Sequence, residues 1–520
     1  MDVRRSAVWY LVVFLAAAVP RAAPAQLIPI RTVPVATGDP FLLTPSDRLG
    51  MGGLGLALED TTGAPFSNPA ASVRLAHGMF FTAPVHYRIS DPFRVGSQGS
   101  GTSLPLGAFF RGSRWSGGGW LALQELTGAD GDGGFPVPFF ADCDQCRFVT
   151  QLPIGPTLGE RSARNVHAHA QVARALEGRS AAWGVSASMA DLGWMAGVEH
   201  LYAGSQRIDP SGTVWDLRAG LLWERPDGAV LEAVALHNRV DMTHRVTYVD
   251  WQVPTLPPDS VPANPVVVEP RIREEVNEDV TRTWGAHVRY ARPLDAEGWR
   301  VGWVVTANRR EHPKLPDYEI QNIPRDPGRS WAFDLGAGLA RRSGPLEFGV
   351  EAVLEPISAR TWQEAATDTT TVGGQVVRAG ERTIDNQFDF LNVRLRSGVQ
   401  LAWRRATVQA GVEARAIAYD LEQVDRLRAT VRTQQESWME WTPTWSVDVR
   451  VTDVRLRYTG LATTGTGRPG IADVWGFSDV PRATAASDGA ISILPAPSGP
   501  LTLQSATVWT HQVALVVPIG

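Results

Sequence analysis

Alternation of apolar and polar side chains over stretches of ten or more residues is the feature that most restricts the fold of this chain. In residues 329–341, Trp331, Phe333 and Leu335 share one face of such a stretch, and Asp334 lies on the other. Successive side chains of a β-strand point to opposite faces, so one face can contact lipid while the other faces a polar interior. About sixteen segments between residues 77 and 519 follow this pattern, which predicts an all-β protein.

The connections between these segments alternate in length. Short connections lie at 225–228 and 341–344, and long ones lie at 127–162, 251–278, 358–385, 422–435 and 464–503. Bacterial outer-membrane barrels have short periplasmic turns and long extracellular loops. The sequence therefore predicts an antiparallel transmembrane β-barrel of about 14–16 strands. The alternative is a soluble exported β-protein such as a carbohydrate-active enzyme, but a soluble sandwich has no reason to sort its loops by length.

The N-terminus predicts export. Arg4 and Arg5 precede an apolar run at 7–19 that is too short to cross a bilayer as a helix, and Ala23-Pro24-Ala25 fits a cleavage site. The predicted organisation is a signal peptide at 1–25, an N-terminal hatch at 26–76 and a barrel at 77–520. Together with the strand pattern, it places the protein in the outer membrane of a bacterial cell.

Charge and cysteine content exclude some classes of function. The formal net charge of -5 argues against a general affinity for nucleic acid. The two cysteines, Cys143 and Cys146, lie in a loop rich in Gly, Pro and Asp. In an exported chain they most simply form a disulfide. A redox centre and a zinc site are the alternatives, although the first needs a helix N-terminus and the second needs further ligands. No cofactor and no metal are predicted.

Polar residues on the inner faces of the predicted strands should line the lumen. A charge that faces lipid at mid-height costs about 2–4 kcal/mol, so charged residues should point inward. The residues predicted to face the lumen are His167, His169, Asp216, Arg218, Asp334, Glu347 and Glu351. The two histidines are interpreted as polar lumen residues, with a metal-binding pair as the alternative. No G-x-S-x-G or H-E-x-x-H motif occurs, so an enzyme is not predicted.

Residues 26–76 do not alternate like a strand. Gly50, Gly52, Gly53 and Gly55 permit positive φ and close backbone approach, and Asn68-Pro69 predicts a turn. A phosphate-binding glycine loop is the alternative, but no strand precedes the motif. Irregular backbone at membrane depth has to be surrounded by protein or water. We therefore expect a hatch inside the lumen, with Gly50, Gly52 and Gly53 on a tight path near Asn68 and Pro69.

The run RLGMGGLGLALED at 48–60, followed by FSNPAA at 66–71, resembles the N-terminal region of FadL-type outer-membrane proteins and the related PorV group. The resemblance implies a monomeric barrel with a luminal hatch, in contact with outer-membrane lipid and a small hydrophobic ligand. For FadL-type proteins it implies passive uptake of hydrophobic solutes, and for PorV-type proteins a non-transport role in secretion or surface scaffolding. Two features differ: those families usually have fourteen strands, and they commonly end on an aromatic residue, whereas this chain ends Val516-Val517-Pro518-Ile519-Gly520.

Overall fold

The computed structural model describes residues 44–90, 100–127, 162–176, 180–193, 207–252, 269–295, 297–312, 328–365, 367–469 and 503–519. The proposed signal peptide, Cys143, Cys146 and most of the loops 127–162, 251–278 and 464–503 lie outside these residues, so the predictions made for them stay predictions.

Strands dominate the described residues. They are β1 (Gly78–Thr82), β2 (Val85–Ser90), β3 (Ser100–Arg111), β4 (Trp115–Thr127), β5 (Ser162–Ala175), β6 (Ala181–Leu192), β7 (Arg207–Glu224), β8 (Val230–Gln252), β9 (Glu269–Pro293), β10 (Trp299–His312), β11 (Gly328–Ser343), β12 (Leu346–Glu364), β13 (Thr369–Thr370), β14 (Val376–Val377), β15 (Arg382–Ala402), β16 (Ala406–Asp425), β17 (Thr430–Val451), β18 (Val454–Pro469) and β19 (Leu503–Ile519). Within the described ranges, helical structure is limited to an α-helical turn at Ala64–Ser67 and 3-10 turns at Leu49–Met51 and Pro69–Arg74. In the part of the chain that the structure describes, no helix has the length and hydrophobicity to span a membrane.

The sheet closes into a barrel. Consecutive strands pair antiparallel, and β1 pairs with β19 to complete the circle. β1 and β2 are two parts of one barrel strand, because both keep the same register against β3 and β19 on either side of Ala83-Pro84. Pro84 has no N–H to donate, but its carbonyl accepts from Val513 N at 3.0 Å. With β13 and β14 forming a separate hairpin, the barrel has sixteen strands, which confirms the predicted all-β barrel at its upper strand count.

An apolar band surrounds the barrel. On β12 the outward side chains Leu346, Val350 and Leu354 are 39%, 52% and 46% exposed. On the neighbouring β15, Leu401, Leu395 and Leu391 form the matching row. The eleven residues from Leu346 to Pro356 span about 25 Å of height when the strand is tilted, the height of the apolar band in outer-membrane barrels. The band thus fits one bilayer.

The strands continue beyond this band at one end. β9 has 25 residues, although about 9–11 are enough to cross a bilayer. The prediction of a long loop at 422–435 is wrong. β16 ends at Asp425, β17 begins at Thr430, and only four residues connect them. Loop 358–385 likewise contains the end of β12 and the β13–β14 hairpin. We call this end of the barrel the loop end, and the other, with connections such as 403–405, the turn end.

Candidate solute site in the barrel lumen

Residues 44–77, called the plug from here on, fill the lumen at the turn end. Met51 and Leu54 are 0% and 1% exposed. The wall has glycines where the plug backbone comes closest. A Cβ built on Gly398 would lie 2.3 Å from Met51 O, and one built on Gly302 would lie 2.0 Å from Leu56 O. Because the plug contacts inward-facing residues of strands around the whole circle, it lies inside the barrel.

The predicted hatch residues lie in two separate places. Gly50 packs against Ser446 and Gln409. Gly52 and Gly53 have φ of 75° and 72°, values that favour glycine. Gly52 N donates to Thr444 Oγ1 at 2.9 Å, and Gly53 O accepts from Arg396 at 3.1 Å. These contacts are all with β15, β16 and β17.

Asn68 and Pro69 lie against the opposite wall. Asn68 Nδ2 donates to Leu221 O at 3.1 Å, and Pro69 packs on Gly184. The expectation that the glycines run beside Asn68-Pro69 is therefore wrong. The physical reason is that the residues between them cross the lumen. On this path, Gly55 N and Leu56 N donate to Glu351 Oε1 at 2.8 and 2.5 Å.

Ion pairs hold the plug to the wall. Arg48 Nη1 lies 2.6 Å from Glu347 Oε2, and Asp47 Oδ1 lies 2.7 Å from Arg455 Nη1. Arg289 donates to the carbonyls of Leu56 and Leu58, both at 3.1 Å. Two of the residues predicted to face the lumen, Glu347 and Glu351, are thus wall contacts of the plug, at 5% exposure each.

The remaining predicted lumen residues have mixed surroundings. Arg218 pairs with Asp216 at 2.6 Å and donates to the carbonyls of Phe66 and Ser67 in the plug. His169 stacks on Trp120 with ring centroids 5.6 Å apart, and His167 is 2% exposed. Across the described ranges, no group of three or more His, Cys, Asp or Glu side chains is placed to hold a metal ion.

Two carboxyl groups of the plug are shifted in opposite directions. Burial raises the pKa of Asp47, but the Arg455 and Arg457 guanidiniums outweigh it and bring this pKa from 3.8 to about 2. Burial and the neighbouring negative charge of Asp47 raise the pKa of Asp60 above 3.8. Asp60 still accepts from Asp47 N and Gly63 N, at 2.8 and 2.7 Å. Asp47 is therefore the anionic anchor of the plug on the wall.

The two faces of the strands exchange polarity at the loop end: the side that is apolar within the bilayer becomes polar there, and the polar side becomes apolar. On β15, Leu395 and Leu391 point outward and Arg394 points inward within the apolar band. Two residues further on, Asp389 points outward, while Phe390 and Phe388 point inward. On β16 the outward face likewise changes to Asp420 and Glu422, and the inward face to Ile417, Tyr419 and Leu421. The loop end of the barrel is therefore polar outside and apolar inside.

The inverted segments of four neighbouring strands form one apolar cluster, which we call the loop-end cluster. Its members are Ala332, Ile357, Phe388, Phe390, Ile417, Tyr419 and Leu421, each buried. The rings of Phe388 and Phe390 stack at 6.1 Å, and Phe390 meets Tyr419 at 5.5 Å. Such a cluster is unexpected on the inner wall of a transmembrane barrel, which is normally polar.

A second apolar cluster lies on the opposite wall. Ala190, Leu192, Val214 and Met242 are buried together on β6, β7 and β8. The outward residues at this height are charged, as Asp191, Arg239 and Asp241 show. The interior of the loop end is therefore apolar on two sides.

The loop-end cluster has polar boundaries. Towards the loops, Gln423 Nε2 donates to Asn386 Oδ1 at 2.9 Å. Towards the plug, Glu355 accepts from Arg415 and pairs with Arg394 at 3.1 Å. Beside the cluster, the β15–β16 ladder is interrupted between Phe390–Tyr419 and Val393–Ala416. An open depression of about 470 Å³ lies on the outer surface beside this interruption, and its lining includes the outward-facing Asp389, Leu391, Asp420 and Gln435.

Sequence reasoning missed these clusters, because it assumed that each strand keeps one phase along its whole length. The signal was available in the segment DNQFDFLNVRLR at 385–396, where the apolar residues change from even to odd positions between Phe390 and Leu391. No such change occurs in DVRLRY at 453–458, because this segment starts β18 at the turn end, away from the loop end.

Comparisons with known proteins find distant structures only. No protein-family model matches the chain, and no curated protein matches it. A Pseudomonas aeruginosa FadL homologue aligns at 11% identity and TM-score 0.41, covering 91% of this chain and 98% of that one. The Pseudomonas putida toluene transporter TodX aligns at 12% identity and TM-score 0.35, covering 90% and 96%. The E. coli K12 ferric-catecholate import receptor Fiu aligns at 8% identity and TM-score 0.34, covering 85% and 82%. At TM-scores below 0.5, these similarities carry no argument about function, which has to come from the lumen itself.

Proposed function

We propose that this protein is a monomeric channel of the bacterial outer membrane for the passive uptake of small apolar solutes. The observation that supports it is the loop-end cluster, an aromatic and aliphatic surface on the inside of a barrel above the level of the bilayer. An apolar solute gains about 25 cal/mol for each Å² of apolar surface that leaves water, so this surface would collect such solutes from outside. Ligand sites of this kind are typically apolar with few polar groups.

The plug blocks the axial route from the loop-end cluster to the turn end. It occupies the turn end and is held by ion pairs, so a solute that has reached the loop-end cluster cannot continue along the axis while the plug stays in place. Passage then needs a local shift of the plug or a route through the wall. The interrupted β15–β16 ladder next to Phe390 is a place where the described wall has fewer backbone hydrogen bonds to break.

A non-transport role in protein secretion or surface scaffolding is the second candidate. It is favoured by the number of buried ion pairs between plug and wall, since Arg48–Glu347, Arg74–Glu232 and Arg457–Asp47 all hold the lumen closed. The two candidates differ in whether the loop-end cluster is needed for function.

Uptake of the fluorescent apolar dye N-phenyl-1-naphthylamine by intact cells separates them. Cells that carry the barrel should take up the dye faster than cells without it, and Phe388→Ser with Phe390→Ser should remove most of the increase. Phe333→Ser, which changes a lipid-facing ring on β11, is the matched control. Heat-dependent gel migration would check that every variant assembles. An assembled wild-type barrel that gives no extra uptake would refute the transport function.

A further inference from the structure

The boundary between the loop-end cluster and the charged layer beneath it lies at one height on four strands. The inward residues change from Ala332 to Asp334 on β11 and from Ile357 to Glu355 on β12. On β15 they change from Phe390 through Asn392 to Arg394, and on β16 from Ile417 to Arg415. The register places Asn392 directly opposite Glu355 and Arg394 directly opposite Arg415. A solute on the cluster would therefore meet this layer with one end.

Asn392 is the unusual residue of the boundary. It is 0% exposed, and among the described residues neither its Nδ2 nor its Oδ1 has a hydrogen-bond partner. Arg394 Nε, two residues along the same face, is also buried without a partner. A buried amide left unpaired costs about 1–3 kcal/mol, so such groups are normally satisfied. The boundary thus offers two donor nitrogens and one acceptor oxygen on the inner face of β15, two and four residues from Phe390.

The charges of the layer select against an anion. Arg394 and Arg415 are both paired with Glu355, at 3.1 and 2.8 Å. Asp334 lies on the same inner face, and Glu440 is directly opposite Arg415 in the β16–β17 register. The adjacent Arg396–Glu413 pair adds one charge of each sign. Four carboxyl groups therefore face three guanidiniums, and a further carboxylate would be repelled. A neutral group that both donates and accepts is the better match.

We propose that this boundary recognises one hydroxyl group on an otherwise apolar solute, which makes neutral alcohols and phenols the preferred substrate class. The hydroxyl oxygen would accept from Asn392 Nδ2 or Arg394 Nε, and its hydrogen would be donated to Asn392 Oδ1. The apolar body would lie on Phe390, Ile357 and Ile417. A hydrocarbon of the same shape leaves the Asn392 amide unpaired, and sites that hydrogen-bond a hydroxyl reject analogues without it. The proposal rests on the apolar-solute function proposed above.

Equilibrium dialysis against lipid vesicles that contain the full-length barrel tests this with three probes: 4-propylphenol, propylbenzene and 4-propylbenzoate. Partition into lipid cancels when wild type and variants are compared in the same vesicles. Asn392→Leu should weaken binding of 4-propylphenol about 10-fold, the effect of one to two neutral hydrogen bonds, and should change propylbenzene by less than about twofold. Asn392→Ser, which keeps a hydroxyl, should retain the preference for the phenol. Thr433→Leu, on the exposed face of β17, is the matched control.

The outcomes separate the two proposals. If wild type binds none of the probes, the apolar-solute function itself fails. If propylbenzene binds but Asn392→Leu weakens phenol and hydrocarbon equally, Asn392 has only a structural role and the hydroxyl preference is overturned. Tighter binding of 4-propylbenzoate than of 4-propylphenol would also overturn it, because the charged layer would then act as an anion site.

Discussion

Protonation of Asp47 should release the plug in acid. The carboxylate lies 2.7 Å from Arg455 and 3.1 Å from Arg457, and it accepts from Thr62 N and Thr62 Oγ1. These contacts keep its pKa at about 2 in the docked plug, compared with 3.8 in water. A carboxyl group whose pKa is lowered stabilises the docked state above pH 3.8 and loses that contribution as the pH falls through about 2.

The size of the effect follows from the shift. A pKa of about 2 in place of 3.8 corresponds to about 2–3 kcal/mol, or roughly 10- to 100-fold in the docking equilibrium. Asp60 acts in the other direction at higher pH, because its pKa is raised and its ionised form is disfavoured in the docked plug. Docking should therefore strengthen as the pH falls towards 4 and weaken below that value.

Conductance of single barrels in planar bilayers, recorded from pH 7 to pH 2, would measure this. In wild type the open probability should rise steeply only below about pH 4. Asp47→Asn should give a high open probability already at pH 7, because Arg455 and Arg457 then lose their ion pair with the plug and, among the described residues, Asp448 in the wall is the carboxylate that still pairs with both. Arg457 would still donate to Ser46 O. Asp453→Asn, in the exposed turn next to Arg455, is the matched control and should behave like wild type.

Comparison of the two curves isolates Asp47 from the other carboxylates of the lumen, which are the same in both proteins. If Asp47→Asn and wild type rise in parallel between pH 4 and pH 2, the ion pair with Arg455 and Arg457 does not hold the plug, and the reasoning is refuted.

Three further predictions concern the plug and the wall. Gly398→Val should displace the plug, because a side chain there meets the Met51 carbonyl at 2.3 Å; protease cleavage within the plug would report it, and Gly373→Ala, with only Thr371 Oγ1 nearby at 3.8 Å, should have no effect. Glu351→Gln should destabilise plug docking by about 1.5–3 kcal/mol, the value of a hydrogen bond to a charged group, measured as plug release in urea. Leu395→Arg, at mid-height of the apolar band, should cost about 2–4 kcal/mol in vesicle unfolding, while Asp389→Arg above the band should cost little; equal costs would contradict the assigned bilayer position.

The architecture of the barrel could be predicted from the sequence, because period-two alternation follows directly from strand geometry. The pattern around Trp331 and Asp334 gives both the strand and its facing. The sixteen-strand count was also predicted, and the pairing of β18 at Val454–Pro469 with both β17 and β19 confirms it. Strand ends were predicted poorly. The segment 422–435 looked like a loop because it is rich in polar and charged residues, which a strand can carry where it extends above the bilayer.

The candidate site was less accessible. The glycines of the plug were identifiable from their spacing, but their partners were not, because Gly52 bonds to Thr444 across 392 residues of chain. Wall glycines such as Gly398 matter only once the plug is placed against them. The loop-end cluster depends on a change of phase between Phe390 and Leu391, and this change has meaning only when the height of each residue relative to the bilayer is known.

The inversion between Leu391 and Asp389 also fixes how deep the barrel sits. Asp389 and Asp420 are directly opposite each other on the outer surface, one residue pair above the apolar band. A thicker membrane could cover the barrel only by drawing both carboxylates into hydrocarbon, and a thinner one would expose Leu391 and Leu395 to water. Mismatch of either kind costs fractions of a kcal/mol for each ångström. The barrel is therefore matched to one membrane thickness. Changes in lipid chain length should first affect the stability of the strands around the loop-end cluster.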